Sequence, residues 1–218
     1  IVTHIDRETH TLYASTGADG MVDATIRSGL GSPSRADTGF GAALFDMDHD
    51  GDLDLAVANG HVRRTSSVST AVGAGVGTSV GKLNRERFTE IYGQPNALFR
   101  NLGDGRFESD CGDAFCADAG VSRGLLAVDL DGDGDQDLVT TNANGQPRIF
   151  ENRVPKLGHW LQLRLYDPVR KRDAIGAVLR IRVGNRWLVR TVLHSSGYLS
   201  SADALVHVGL GGATALDD

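Results

Sequence analysis

Ten of the chain's 28 acidic residues sit in two nine-residue runs of one spacing. The first is Asp46-Met47-Asp48-His49-Asp50-Gly51-Asp52-Leu53-Asp54, and the second, 83 residues on, is Asp129-Leu130-Asp131-Gly132-Asp133-Gly134-Asp135-Gln136-Asp137. Aspartates at every other position would repel one another if left unanswered, and a hard divalent cation taking six to eight oxygens answers them. Calcium is the natural occupant, one ion per loop and two in all; magnesium keeps its waters and takes fewer protein ligands. Glycine at position 6 permits a sharp turn, so that the carboxylates of Asp46, Asp48, Asp50 and Asp54 converge while Asp52 offers its backbone carbonyl. Around Gly134 the same roles fall to Asp129, Asp131, Asp133 and Asp137, with Asp135 at the carbonyl position. An EF-hand needs a bidentate Glu at position 12, where this chain has Val57 and Thr140, and is excluded.

Other chemistry is hard to find. The Gly-x-Ser-x-Gly elbow, the His-Glu-x-x-His helix and the P-loop are all missing, and no base stands beside either acidic run in the sequence, so the chain reads as non-enzymatic. His4, Glu8 and His10 match no helix-borne metal site and read as strand-end residues. His49, at position 4 of the first run, is expected to point outward into solvent. His194 and His207 read as strand residues, and Arg180, Arg182, Arg186 and Arg190 as a solvated face that could also dock against the acidic part. Cys111 and Cys116 enclose four residues of a turn-rich segment. They pair in an oxidising compartment or remain thiols in a reducing one, and no zinc-ligand spacing surrounds them.

The acidic runs need strands to hold them. Gly39 to Leu55 is echoed by Arg123 to Leu138, and each copy continues into a short β-prone run, Leu55 to Gly60 and Leu138 to Asn142. A second, interleaved repeat, Leu98-Phe99-Arg100-Asn101-Leu102-Gly103-Asp104-Gly105-Arg106-Phe107, reads as a hairpin because Asp-Gly supplies a positive-φ turn. It is matched loosely by Leu12 to Met21 and, in its first half, by Ile149 to Asn152, while Ile1 to Ile5 fits a strand slot. The order is strand, acidic loop, strand, hairpin, repeated about two and a half times. With the runs so far apart, the two loops are expected to fill separate units and act independently. Between the first copy and its hairpin, residues 61–96 read as a surface excursion. Its Gly73-x-Gly75-x-Gly77 spacing lacks the strand-to-helix setting of a phosphate loop.

From Val154 the texture changes to longer alternating strands, Trp160 to Leu165, Ala177 to Val183 and Trp187 to Val192, with Gly184-Asn185 as a hairpin turn and a strand-like Ala204 to Val208 at the end. The charge changes with it. Residues 1–153 carry 13 Lys and Arg against 23 Asp and Glu, a net of −10, whereas residues 154–218 carry 9 against 5, a net of +4. No basic groove interleaved with aromatics is present, which excludes nucleic acid as a partner, and no apolar run reaches the ~18 residues of a membrane span. The 28 glycines favour turns over long helices, so the chain is expected to be all-β: repeats over 1–153 and a small antiparallel β module over 154–218.

These motifs carry a resemblance. The Phe-Gly…Asp-x-Asp-x-Asp-Gly-x-x-Asp-Leu pattern resembles the FG-GAP/VCBS repeat of integrin-type β-propellers. Arg172-Asp173-Ala174-Ile175-Gly176-Ala177, Ser196 to Ser201 and His207-Val208-Gly209-Leu210-Gly211 resemble the ASPIC/UnbV module of the cartilage acidic protein family. The resemblance implies calcium-bearing propeller blades, partial here, followed by an ASPIC/UnbV-like module whose usual length exceeds this one. It implies an extracellular, periplasmic or cell-envelope location, and with that location a Cys111–Cys116 disulfide. The expected role is a calcium-binding scaffold or protein-interaction module whose partners are other subunits or the remainder of a longer chain. A propeller-type hydrolase or a glycan-binding protein is the alternative, the glycan version weakened by only 13 aromatics.

Overall fold

In the computed structural model, residues 1–17, 20–63, 84–194 and 197–216 are described. Each acidic run is the connection between two antiparallel strands, as the repeat demands. β3 (Gly39–Phe45) leads into the first loop and β4 (Asp54–Asn59) leaves it; β5 (Ala97–Asn101) and β6 (Phe107–Ser109) complete a four-stranded meander in the order β3-β4-β5-β6. The second copy gives β7 (Ser122–Val128), β8 (Asp137–Asn142) and β9 (Arg148–Phe150) in a three-stranded meander. Both opening strands shift register near a glycine, between Gly39 and Ala42 and between Ser122 and Leu125. Ahead of them, β1 (Tyr13–Ser15) and β2 (Met21–Asp23) form the hairpin expected near Leu12 to Met21.

The two meanders pack through their first strands. At Gly41 a Cβ would lie 2.6 Å from the amide nitrogen of Leu125, so only glycine lets β3 and β7 come this close. Phe45, Met47, Leu98, Phe115, Leu125 and Leu138 make the shared core, and burying each large side chain contributes about 1.5–3 kcal/mol.

The C-terminal part builds its own core. β10 (His159–Arg164) pairs with the last strand, β15 (Leu205–Gly211); β11 (Tyr166–Asp167) pairs with β12 (Arg172–Asp173), and β13 (Val178–Val183) with β14 (Arg186–Thr191) around the expected Gly184-Asn185 turn. Alternation puts Ile181 and Leu188 inward with Val192, Val206 and Val208, while Arg180 and Arg182 face out.

The molecule is mainly β, in six small antiparallel sheets among the described residues. Several expectations are corrected. Ile1 to Ile5 forms no strand but a single bridge, Val2 to Thr11. Part of the excursion is helical: α1 (Arg85–Tyr92) starts where the Asn84 side chain accepts the Arg87 amide; beyond it, after β6, a short α2 (Ala114–Ala117) starts where Asp113 accepts the Cys116 amide. The glycine-rich stretch of that excursion, residues 64–83, lies outside the described residues. His194 sits in a bend, beyond the end of β14. Cys111 and Cys116 are disulfide-bonded, with Cα atoms 5.4 Å apart.

Candidate metal centre

The turn in each loop is made where the sequence put its glycine, with φ of +92° at Gly51 and +95° at Gly134. Around that turn the first three aspartates converge. Asp46, Asp48 and Asp50 each bring an oxygen within 4.8 Å of the others, and Asp129, Asp131 and Asp133 do the same. Each loop is wound by the same short bonds. Position 1 accepts the amide of the turn glycine, Gly51 to Asp46 at 3.0 Å and Gly134 to Asp129 at 3.1 Å; position 5 accepts the amide of position 7 at 2.8 Å in both.

Position 9 stands outside the trio. Asp54 accepts the amides of Met47 (2.9 Å) and Asn101 (2.8 Å), one on each oxygen, and Asp137 accepts those of Leu130 (3.2 Å) and Asn152 (2.9 Å). Asn101 and Asn152 each donate a side-chain N–H back to the loop, to the carbonyls of Leu53 and Gln136. The first half of the interleaved repeat thus ends on the residue that closes the loop. The sequence signal for this clasp is the Asn that recurs after Leu98-Phe99-Arg100 and after Ile149-Phe150-Glu151.

The side chains at position 7 are engaged away from the trio. Asp52 takes Arg186 at 2.6 Å, and Asp135 takes Lys156 at 2.9 Å. Asp48 meets Arg100 at 2.7 Å, a β5 residue that also holds Asp110. Burial pushes the Asp46 carboxyl up to about 6, with Asp50 adding like-charge repulsion, and burial pushes Asp54 up to about 7. Asp50 is also raised, again first by burial. Asp46 is fully buried, yet its Oδ1 has no hydrogen-bond partner. An ionised carboxylate oxygen left bare in the interior is unfavourable unless something positive sits beside it. The donor set fits calcium: three clustered carboxylates on a left-handed glycine turn, one carrying an unsatisfied buried oxygen.

His49 does not point into solvent. It is 1% exposed, with a left-handed φ of +65°, and its Nε2 lies 3.3 Å from Asp135 Oδ1 of the second loop. The side chain turns inward because Trp160 and His207 of the C-terminal module wall off the outside, His207 with its ring centroid 5.0 Å away. The two loops therefore touch through His49 and Asp135, although 83 residues separate them in sequence. His10 accepts the His4 amide, and His4 bonds Glu8 and Thr11, so these three residues are bonded among themselves and their neighbours.

The C-terminal module lies directly on the first loop. Gly209 donates its amide to Asp46 Oδ2 at 3.0 Å and Gly211 donates to the His49 carbonyl at 2.8 Å, both from β15; Arg190 donates to the Gly51 carbonyl at 3.0 Å from β14. This is the segment whose sequence has a match. Residues 168–218 match the ASPIC and UnbV family model. β10 lies ahead of the ASPIC and UnbV match but pairs along its whole length with β15 inside it, so the folded unit begins earlier than the matched residues. The chain is also similar to cartilage acidic protein 1 of Homo sapiens, 33% identical over 143 residues that cover 60% of this chain and 19% of that protein. The chain thus spans about a fifth of the relative's length. Among the described residues no helix is long and apolar enough to cross a membrane.

Proposed function

We propose that this chain is a calcium-stabilised extracellular interaction module, its two meanders acting as FG-GAP/VCBS-type blades of a propeller and its ASPIC and UnbV unit as a cap on their loops. The observation that carries the calcium reading is Asp46 Oδ1, a buried carboxylate oxygen without a partner inside a three-carboxylate cluster that recurs in the second loop. The Cys111–Cys116 disulfide fits an oxidising compartment outside the cytosol. The ASPIC and UnbV match and the cartilage acidic protein relative are consistent with an extracellular interaction domain, within a longer chain or a larger complex.

The non-enzymatic reading draws support from the groove between the two meanders. It encloses about 450 Å³ over Phe45, Met47, Leu98, Phe115, Leu138 and Phe150. Its acids are already engaged: Asp110 with Arg100, Glu151 with Arg153, and Asp113 on the Cys116 amide. A hydrolase would need two acids free to face a substrate. Calorimetric titration of the chelated protein with calcium is the test. Two ions bound, with a melting temperature that rises with calcium, is the expected result; a stoichiometry of zero removes the reading.

A further inference from the structure

The first loop and the C-terminal module share one carboxylate. Asp46 Oδ2 accepts two amides, Gly51 from its own loop and Gly209 from β15, each at 3.0 Å, while Oδ1 is the bare oxygen of the cluster. The module's other contacts are made around the trio rather than on it. Arg186 donates to the Asp52 side chain and the Asp50 carbonyl, Arg190 to the Gly51 carbonyl, and Gly211 to the His49 carbonyl. None of these donors reaches Asp46 Oδ1. The docking is also close: a Cβ at Gly209 would collide with the Asp46 carboxylate and with the main chain of His49.

We propose that the first loop is a latch, in which a bound cation and the docking of the module over residues 159–211 stabilise each other. The proposal rests on the calcium reading above and adds a direction to it. With the module docked, Asp46 is sealed from water, the Arg190 guanidinium offsets part of its charge, and its Oδ1 has no hydrogen-bond partner; with the module lifted, water can hydrate that oxygen. A cation supplies the missing partner in the docked state, so docking is less favourable without it. Linkage then requires that the docked module tighten cation binding by the same factor. The second loop lacks this arrangement, since Asp131 and Asp133 are exposed and Asp129 is half-buried.

Amide hydrogen exchange on the full chain, in saturating calcium and in chelator, tests the latch. Protection of the Gly209 and Gly211 amides should fall by about tenfold or more on chelation, with a smaller loss at Leu125 in the meander core. A second arm uses Gly209→Ala in an Asp131→Asn background, so that the first loop is the site titrated; its calcium affinity should drop by about tenfold. If Gly209 and Gly211 exchange no faster in chelator while calorimetry still counts two ions, the latch is wrong and the calcium reading stands. If calorimetry finds no ion, both fall. Should Gly209→Ala not fold, the exchange experiment on the unaltered chain decides alone.

Discussion

The two acidic loops share their aspartates and their turn glycine, and they differ in what covers them. In the first, Asp46 and Asp48 are buried beneath Gly209 and beside Arg100; in the second, the equivalent Asp129 is only half-buried and Asp131, like Asp133, is exposed. The shared pattern dictates the backbone, because position 6 must reach a left-handed φ and positions 1, 5 and 9 must accept amides. It does not dictate the energetics. The demand for a counter-ion comes from elements more than 130 residues away, which seal the first carboxylate cluster, whereas at the second Trp160 covers the Gly134 turn and leaves Asp131 and Asp133 exposed. Position 4 shows the same division. It is left-handed in both loops, as Gly132 at φ +79° in the open one and as His49 at φ +65° in the covered one. A non-glycine residue there is strained by about 1 kcal/mol, which the burial of the imidazole against Trp160 and His207 offsets.

The largest effect is expected at position 9. Asp54→Ala strips acceptors from the amides of Met47 and Asn101, and at about 1–3 kcal/mol for each donor left unsatisfied the chain should lose about 2–6 kcal/mol in chemical denaturation. Asp137→Ala should cost a similar amount, because this clasp is common to both loops; a loss under about 1 kcal/mol at either would break the equivalence.

Position 4 gives an intermediate effect of opposite origin in the two loops. His49→Gly relieves the left-handed strain but empties the space between the loops, for a net loss of about 1–2 kcal/mol. Gly132→His adds the strain with no buried space to fill, since nothing lies within 4 Å of a Cβ there, and should cost about 1 kcal/mol. Thermal melts of the pair compare a packing loss with a backbone loss. Arg186→Ala is the smallest: its partner Asp52 is in a half-exposed pair, and a change of about 0.5 kcal/mol or less is expected.

Proton competition sharpens the comparison further. Asp46 and Asp54 are raised by burial to about 6 and about 7, so without calcium the folded chain takes up these protons more readily than the unfolded chain. From these two groups, chelated stability should rise as pH falls through that window, and be lost again as pH climbs back. With calcium bound the same carboxylates stay ionised and gain nothing. The increase in melting temperature produced by calcium should therefore shrink between about pH 7.5 and pH 5. His10, lowered by burial to about 4 and bonded to the His4 amide rather than to either loop, acts with the opposite slope in both buffers and cancels in the difference.

The sheets were largely legible from the chain. β3, β4, β7 and β8 fall where the repeated runs require, and β10, β13, β14 and β15 follow the period-2 pattern after Val154, because alternation reports a buried face directly. What could not be read was tertiary. Nothing local distinguishes Gly209, whose missing side chain lets β15 reach Asp46, from the many other glycines of the chain, and nothing local turns His49 inward. The basic tail was a partial signal: Arg186 and Arg190 do meet the acidic loop, while Arg180 and Arg182 remain in solvent. The opening Ile1 to Ile5 has the composition of a strand but meets its neighbours only through the Val2–Thr11 bridge and single bonds to the start of β3, from the Gly39 amide to the His4 carbonyl and from the Thr3 hydroxyl to the Phe40 carbonyl.

The central claim is that the first loop is built around a buried carboxylate that needs a cation, and Asp46→Asn tests it most directly. The amide oxygen of Asn can still accept Gly51 and Gly209, while the charge on the orphaned oxygen is removed. In chelator the variant should melt at or above the unaltered chain, because a buried charge that Arg190 only partly offsets is gone; in millimolar calcium it should melt below it, because a ligand is gone. Asp129→Asn, in the hydrated loop, should show a much smaller crossing. An Asp46→Asn variant that is less stable by the same amount in both buffers would contradict the account.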